Sequence, residues 1–299
     1  MTEALGSQGS INSDLGRSYT SSRTLFSLGM TVLTFVAAGI ALLPLIAVLS
    51  YVLIQGAGRL GPAVFTELPP PPLVKGGGFG NAFIGTLLTV GIASLFSVPF
   101  GIMAAVYLSE FARETKIASV IDFLTNVLSG VPSIVIGVFA YGIVVLTTGT
   151  YSVLAGGVAL AVLMLPTIVR TAAEAMESVS NDIRQASVGL GATDFQTVSR
   201  VVLPAAAPSI VTGVMLAVAR AAGETAPLIF TALFSQFWIN WSQNGLLQPT
   251  ATLSVLVFNF AIVPYKNQQQ LAWSGSLVLV AFVLITSVIS RLVVRRKSR

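Results

Sequence analysis

Apolar and charged positions in this chain are separated into long blocks. No charged residue occurs between Arg23 and Arg59, between Lys75 and Glu110, or between Asp122 and Arg170. A further apolar interval from Leu203 to Phe237 is broken only by Arg220 and Glu224, and a last one lies between Lys266 and Arg291. A helix needs about 20 apolar residues to cross a bilayer core. Each interval therefore accommodates one crossing, and the Asp122–Arg170 interval two. The pattern predicts six spanning helices, near 28–55, 82–109, 119–147, 152–172, 207–235 and 271–292. The fold class is all-α and polytopic, because a helix satisfies its own backbone in lipid. The first stretch is too long for a signal-peptide core and reads as a retained helix. Ala251–Tyr265 is apolar but short and contains Asn259. It reads as interfacial or re-entrant, since a seventh crossing would move the basic C-terminal tail to the other side.

Composition agrees: 54% of residues are hydrophobic and 9% charged, against about 25% charged in soluble domains. Lys and Arg set the orientation. With the N-terminus inside, cytoplasmic segments hold Arg17, Arg23, Arg113, Lys116, Arg170, Arg184, Arg200 and the tail residues Arg291, Arg295, Arg296, Lys297 and Arg299. The outer loops hold only Arg59, Lys75 and Lys266. Both termini are then cytoplasmic. The net charge of +5 is spread along membrane-flanking segments, which argues against nucleic acid and for contact with membrane lipid. No cysteine or histidine is present, which removes zinc-thiolate sites and the commonest general base.

Residues 1–24 are rich in Ser, Gly and Asn and read as a flexible cytoplasmic lead-in; residues 25–299 read as the transmembrane domain. The outer segment Glu67–Gly80 joins a stiff proline run to a flexible glycine run. GGGFG is not followed by a GK[ST] pattern, so it is not a nucleotide loop. No other segment resembles a nucleotide site, and no cofactor is expected in this chain.

The sizeable cytoplasmic segment, about 173–204, reads as a helical hairpin. Ser180 or Asp182 can cap its first helix. Gly189 and Gly191 supply the turn, and Thr193 with Gln196 forms a capping box for the second helix. Phe195, Val198 and Val202 then recur at helical spacing, and Pro204 is expected to end that helix. The apolar stripe suits docking to a partner or packing on the chain's own helix ends.

Arg220 needs a physical reason. It lies about 20 Å along the fifth predicted helix at 1.5 Å per residue, where an arginine costs about 3 kcal/mol on insertion scales. Glu224 is one turn on, followed by Thr225. The pair either holds helices together or serves as a gate or binding element for an anion. A guanidinium suits the second task, because its planar fork donates two hydrogen bonds to an oxyanion and keeps its charge. Pro227 is expected to kink the helix beside it. Pro99, Pro132 and Pro166 read as packing kinks.

The hairpin sequence resembles the loop of ABC importer permeases, which reads EAA, three residues, G, nine residues, I-x-L-P. Gln185-Ala186-Ser187 stands in the EAA place, Gly191 follows at the same distance, Val201 takes the Ile place, and Leu203-Pro204 closes the motif. Gln for Glu, Ser for Ala and Val for Ile are departures. Gly80–Leu88 (GNAFIGTLL), Ser129–Gly137 (SGVPSIVIG), Leu165–Met176 (LPTIVRTAAEAM) and Ala219–Ala232 (ARAAGETAPLIFTA) resemble the phosphate branch and its PstA-type permeases.

The resemblance implies that Gln185, Ala186, Gly191, Thr193, Phe195, Val198, Leu203 and Pro204 couple to an ATPase. It implies a path for inorganic phosphate past Arg220, Glu224, Thr225 and Arg170. Arg170, with Glu174 at i+4, reads either as a snorkelling anchor or as a path residue. The implied partners are a PstC-type permease, a PstB-type ATPase dimer that holds ATP and magnesium, and a PstS-type phosphate-binding protein. A bacterial inner-membrane location follows. Sulfate and molybdate permeases share the loop and are the alternative. An ion-coupled transporter should show inverted repeats or broken helices with carboxylates at mid-membrane; the sequence holds one buried carboxylate and no repeat. A membrane enzyme would need paired aspartates or a Ser–Lys dyad in the spans, and every aspartate and lysine lies outside them or at their ends.

Overall fold

The computed structural model describes residues 22–112 and 115–297. The lead-in assigned to residues 1–24 lies almost wholly outside the described residues. Helix α1, Ser22–Ala57, spans two units that divide after Tyr51. In the first unit its apolar side chains are exposed all round, Phe35, Ile40 and Leu43 among them. Thr31 and Thr34 return their hydroxyls to carbonyls one turn back, each at 2.8 Å. A helix apolar on every face with its polar atoms satisfied internally suits hydrocarbon surroundings.

The second unit begins at Val52 and holds the packed bundle. After the end of α1 come α2 (Ala63–Thr66), α3 (Gly80–Phe111), α4 (Lys116–Gly130) and α5 (Ser133–Thr148). Then follow α6 (Val153–Glu177), α7 (Asn181–Gly189), α8 (Asp194–Gly223) and α9 (Ala226–Thr231). The series ends with α10 (Leu253–Ile262) and α11 (Lys266–Lys297). Among the described residues there is no β-strand.

Helix α6 is the centre. Leu160, Met164, Ile168 and Met176 along it are almost completely buried, and α3, α8, α4, α5 and α9 pack around it. Small residues set the closeness: Ala93 and Ala105 on α3 and Ala217 and Ala221 on α8 belong to the same core. Helix α11 closes the bundle against α8 and α10.

Among the described residues, five helices are long and apolar enough to cross a membrane, and the α4–α5 pair makes a sixth crossing if counted as one. Here the structure departs from the expected 119–147 helix. The chain bends by 107° between α4 and α5, at Val131-Pro132. Val131 is extended, with ψ 130°. Pro132 offers no N–H to continue the α4 ladder and disfavours the helical region for the residue before it. Pro99 and Pro166 instead lie inside continuous helices.

Pro204 also behaves differently from expectation: it does not end its helix. The hairpin's second helix runs straight into the fifth span, as Asp194–Gly223. A π-helical turn at Val198–Val202 precedes Leu203, and its widened register accommodates a proline without terminating the rod.

The glycine run of the outer segment is held rather than loose. Gly78 N–H donates to Leu68 O at 3.0 Å and Phe79 N–H to Val64 O at 2.8 Å, and Phe79 is fully buried. The short apolar segment 251–265 contains the ten-residue helix α10, about 15 Å long and too short to cross. Leu253, Val255, Leu256 and Phe260 are buried, so it is packed within the bundle.

Candidate translocation path and docking hairpin

Helix α8 stops at Gly223 because Glu224 turns extended, with φ −71° and ψ 133°. The expected kink at Pro227 is therefore a break three residues earlier. Pro227 falls in the first turn of α9, where a missing N–H is tolerated, and the carbonyl of Gly223 is released from the clash a continuous helix would impose. The freed Glu224 carbonyl accepts from Ser254 Oγ at 2.7 Å. Helix α10 thus braces the break, and its own first turn is held by Thr86 Oγ1, which accepts from Leu253 N–H at 2.8 Å.

Arg220 Nε lies 3.6 Å from Glu224 Oε1. The pairing survives although Glu224 has left the helix. The two side chains differ in exposure: 59% for Arg220 and 17% for Glu224. The carboxylate is anchored in the break while the guanidinium projects outward with most of its donors unused. A guanidinium directed at hydrocarbon is unfavourable, so this surface faces water or another polypeptide. Thr225 is the cap residue of α9 and makes no side-chain capping bond. Gly137 of α5 meets the break from the other side. A Cβ there would lie 2.6 Å from Pro227 Cα, so only glycine lets the two backbones approach this closely.

Arg170 belongs to a separate polar row. Its Nε is 3.2 Å from Glu174 Oε1, its Nη1 donates to Asn126 Oδ1 at 3.5 Å, and Asn126 Nδ2 donates to Asp122 Oδ2 at 3.2 Å. The row ties α4 to α6 on an exposed face. No hydrogen bond or ion pair joins it to the Arg220–Glu224 pair among the described residues.

The hairpin forms as two helices at a glycine turn. Ser180 Oγ, rather than Asp182, caps α7 by accepting from Asp182 N–H at 3.1 Å. Gly191 sits at φ +86° with open space where a Cβ would be; it serves backbone conformation, not close approach. Gly189 is the last residue of α7 and takes no positive φ. Both arms of the Thr193–Gln196 capping box are present. The apolar stripe divides: Val198 and Val202 are buried against the chain's own helices, whereas Phe195 is 71% exposed. Ser187 Oγ and Thr197 Oγ1 form a buried hydrogen bond of 3.0 Å, so the serine at the usual alanine place ties the two helices together. Gln185 and Ala186 are exposed on α7, Pro204 is exposed, and Leu203 is half-buried.

Residues 97–299 match the family described as binding-protein-dependent transport system inner membrane component. Over 253 residues the chain is 39% identical to the phosphate transport system permease protein PstA of Yersinia pestis, covering 85% of this chain and 84% of the relative. This chain belongs to the PstA permease family. The PstA of Haemophilus influenzae is 37% identical over 90% of the chain and 93% of its own length. Solved structures share the fold at lower identity. The MetNI methionine ABC transporter in an inward-facing conformation aligns with a TM-score of 0.58 at 20% identity, covering 72% of this chain and 94% of that one. A bacterial alginate ABC transporter aligns at 0.61 and 15%, covering 92% and 95%.

Sequence reasoning missed two parts of the permease's hairpin. The first is Leu190, 90% exposed at the turn five residues before Phe195, with Ile183 and Val188 also exposed. Its position outside the helical repeat hid it. The second is Arg184, counted only for its charge. Its Nη2 lies 2.7 Å from Glu110 Oε1, its Nε donates to Glu110 Oε2 at 3.3 Å, and it also donates to the carbonyls of Met176 and Val179. The fork thus joins α7 to the end of α3 and caps α6. Side-chain exposures of 15% and 7% place this pair among buried ones. Arg184→Met is expected to destabilise the permease by about 3 kcal/mol, since Glu110 would remain as an uncompensated charge. Thermal unfolding in detergent checks this, and the Arg184→Glu, Glu110→Arg exchange is expected to recover part of the loss.

Proposed function

We propose that this permease forms, with a second PstC-type permease, the path by which inorganic phosphate enters the cytoplasm, driven by a PstB-type ATPase dimer and fed by a PstS-type binding protein. The observation that carries the reading is the Arg220–Glu224 pair at a helix break within an apolar span, its guanidinium exposed and under-used. Glu224 neutralises the arginine when the path is empty. A passing phosphate competes for the same donors, which keeps the interaction weak enough for release. The chain itself performs no chemistry; ATP and magnesium belong to the ATPase, which docks on the exposed tip formed by Leu190 and Phe195. Arg170 contributes a second positive group along the path or anchors its helix. The test is purification of the tagged chain with its native partners: an ATPase and a second polytopic permease are expected, and a chain that purifies alone from gently solubilised membranes speaks against the reading.

In this reading the protein lies in the bacterial plasma membrane with both termini cytoplasmic. A single cysteine replacing Leu73, which is 84% exposed, is expected to react with an impermeant thiol reagent from outside intact cells. One replacing Lys116, also exposed, is expected to react only after permeabilisation. The native lack of cysteine leaves no background, and labelling of both from one side would break the topology.

A further inference from the structure

A cavity of about 550 Å³ opens between the end of α1, the glycine-containing loop before α3 and the first turn of α11. Its lining includes Arg59, Lys75 and Lys266 and no carboxylate. These are the three cations on the side of the bundle to which the charge distribution gives the fewest. The loop's own carboxylate, Glu67, accepts from Gly77 N–H at 3.1 Å and lies outside the lining. Arg59 is the fixed wall: it donates to Gly76 O and to the side chain of Asn267. Asn267 in turn donates to Val74 O at 2.6 Å, and Gln268 to Pro70 O at 3.1 Å. Three separate stretches of chain are thereby tied into one rim. Lys75 and Lys266 form no ion pair among the described residues and are exposed at the mouth. The unsatisfied N–H groups that open the 32-residue helix α11 add positive potential at Lys266 and Asn267.

We propose that this cavity binds a phosphate-bearing oxyanion through Lys75 and Lys266, with Arg59 holding the rim. Two uncompensated ammonium groups, one on the loop before α3 and one at the start of α11, supply charge without a fixed fork, which suits a phosphate group of variable orientation. Two sources carry that group: the headgroup of an anionic phospholipid and free inorganic phosphate. The site's placement on the outer side rests on the orientation proposed above, whereas its chemistry does not.

The experiment uses the assembled importer in nanodiscs, wild type and Lys75→Gln, Lys266→Gln. Both positions are exposed and outside the packed core, so the double variant is expected to fold. Retention of phosphatidylglycerol is read by native mass spectrometry, and binding of labelled inorganic phosphate is read in phosphatidylcholine discs. Wild type is expected to hold one of the two, and the double variant to lose it by on the order of tenfold or more. Selective loss of phosphatidylglycerol assigns the lipid source, and selective loss of phosphate the free anion. Arg220→Ala is expected to leave phosphatidylglycerol retention and the Lys75- and Lys266-dependent share of phosphate binding unchanged, so failure here is separable from failure of the path. Equal binding of both probes by wild type and variant overturns the proposal. So does a variant whose only change is weaker capture of the purified phosphate-binding protein, since the lysines would then contact protein.

Discussion

An importer carrying Phe195→Asp is expected to reach the membrane in normal amount and to lose most of its phosphate uptake. Phe195 is 71% exposed in the isolated permease, so the change removes little of the subunit's own packing. In the assembled complex the same position would press a carboxylate into an apolar contact. An unpaired charge there costs roughly 2 kcal/mol or more, on the order of thirtyfold in ATPase affinity. Gly191→Val is expected to act in the same direction by another route. No atom lies near the missing Cβ, so the damage is conformational. A β-branched residue at φ +86° is strained by roughly 1–3 kcal/mol, and relief of that strain re-aims α8 relative to α7. Co-purification of the ATPase and uptake by the same cells check both variants. Normal uptake with the ATPase attached would remove the hairpin tip from the coupling mechanism.

Arg220→Ala is expected to reduce phosphate uptake to background while the complex assembles. The side chain is 59% exposed and, among the described residues, is paired with Glu224 at 3.6 Å. Truncation therefore removes little packing, and Glu224 retains 17% exposure through which water can reach it. What is lost is the cation at the break, and Glu224 is left to repel an incoming anion. Arg220→Lys is expected to be impaired as well, because an ammonium keeps the charge but lacks the planar fork. Uptake and ATP hydrolysis measured on the same proteoliposomes distinguish a path defect from an assembly defect. Hydrolysis that persists without uptake is the expected pattern, and normal uptake by Arg220→Ala excludes this residue from the path.

Element type was legible where lipid imposes the pattern: most long charge-free intervals became long helices, and Arg220 stood out because hydrocarbon makes a charge conspicuous. The capping box at Thr193 and the left-handed glycine at 191 were legible because they depend on neighbours in sequence. Prolines were the weak point. Pro132 breaks its helix, Pro204 does not, and Pro227 begins a new one. Their outcomes depend on tertiary support that the local sequence does not encode, such as Ser254 holding the Glu224 carbonyl. The stripe of Phe195, Val198 and Val202 was visible as a period, but its division into an exposed tip and a buried base depends on where α8 leans on the bundle. Arg184 finds Glu110 across 74 residues, a pairing without any local signal.

The most direct test is ATP-driven uptake of labelled oxyanions by the complete importer reconstituted in liposomes, with saturating binding protein outside, ATP inside and each anion offered alone. The account predicts uptake of phosphate that requires ATP, is abolished by Arg220→Ala, and is not matched by sulfate or molybdate. Uptake of sulfate or molybdate in place of phosphate, or phosphate uptake that is indifferent to both ATP and Arg220, would contradict it.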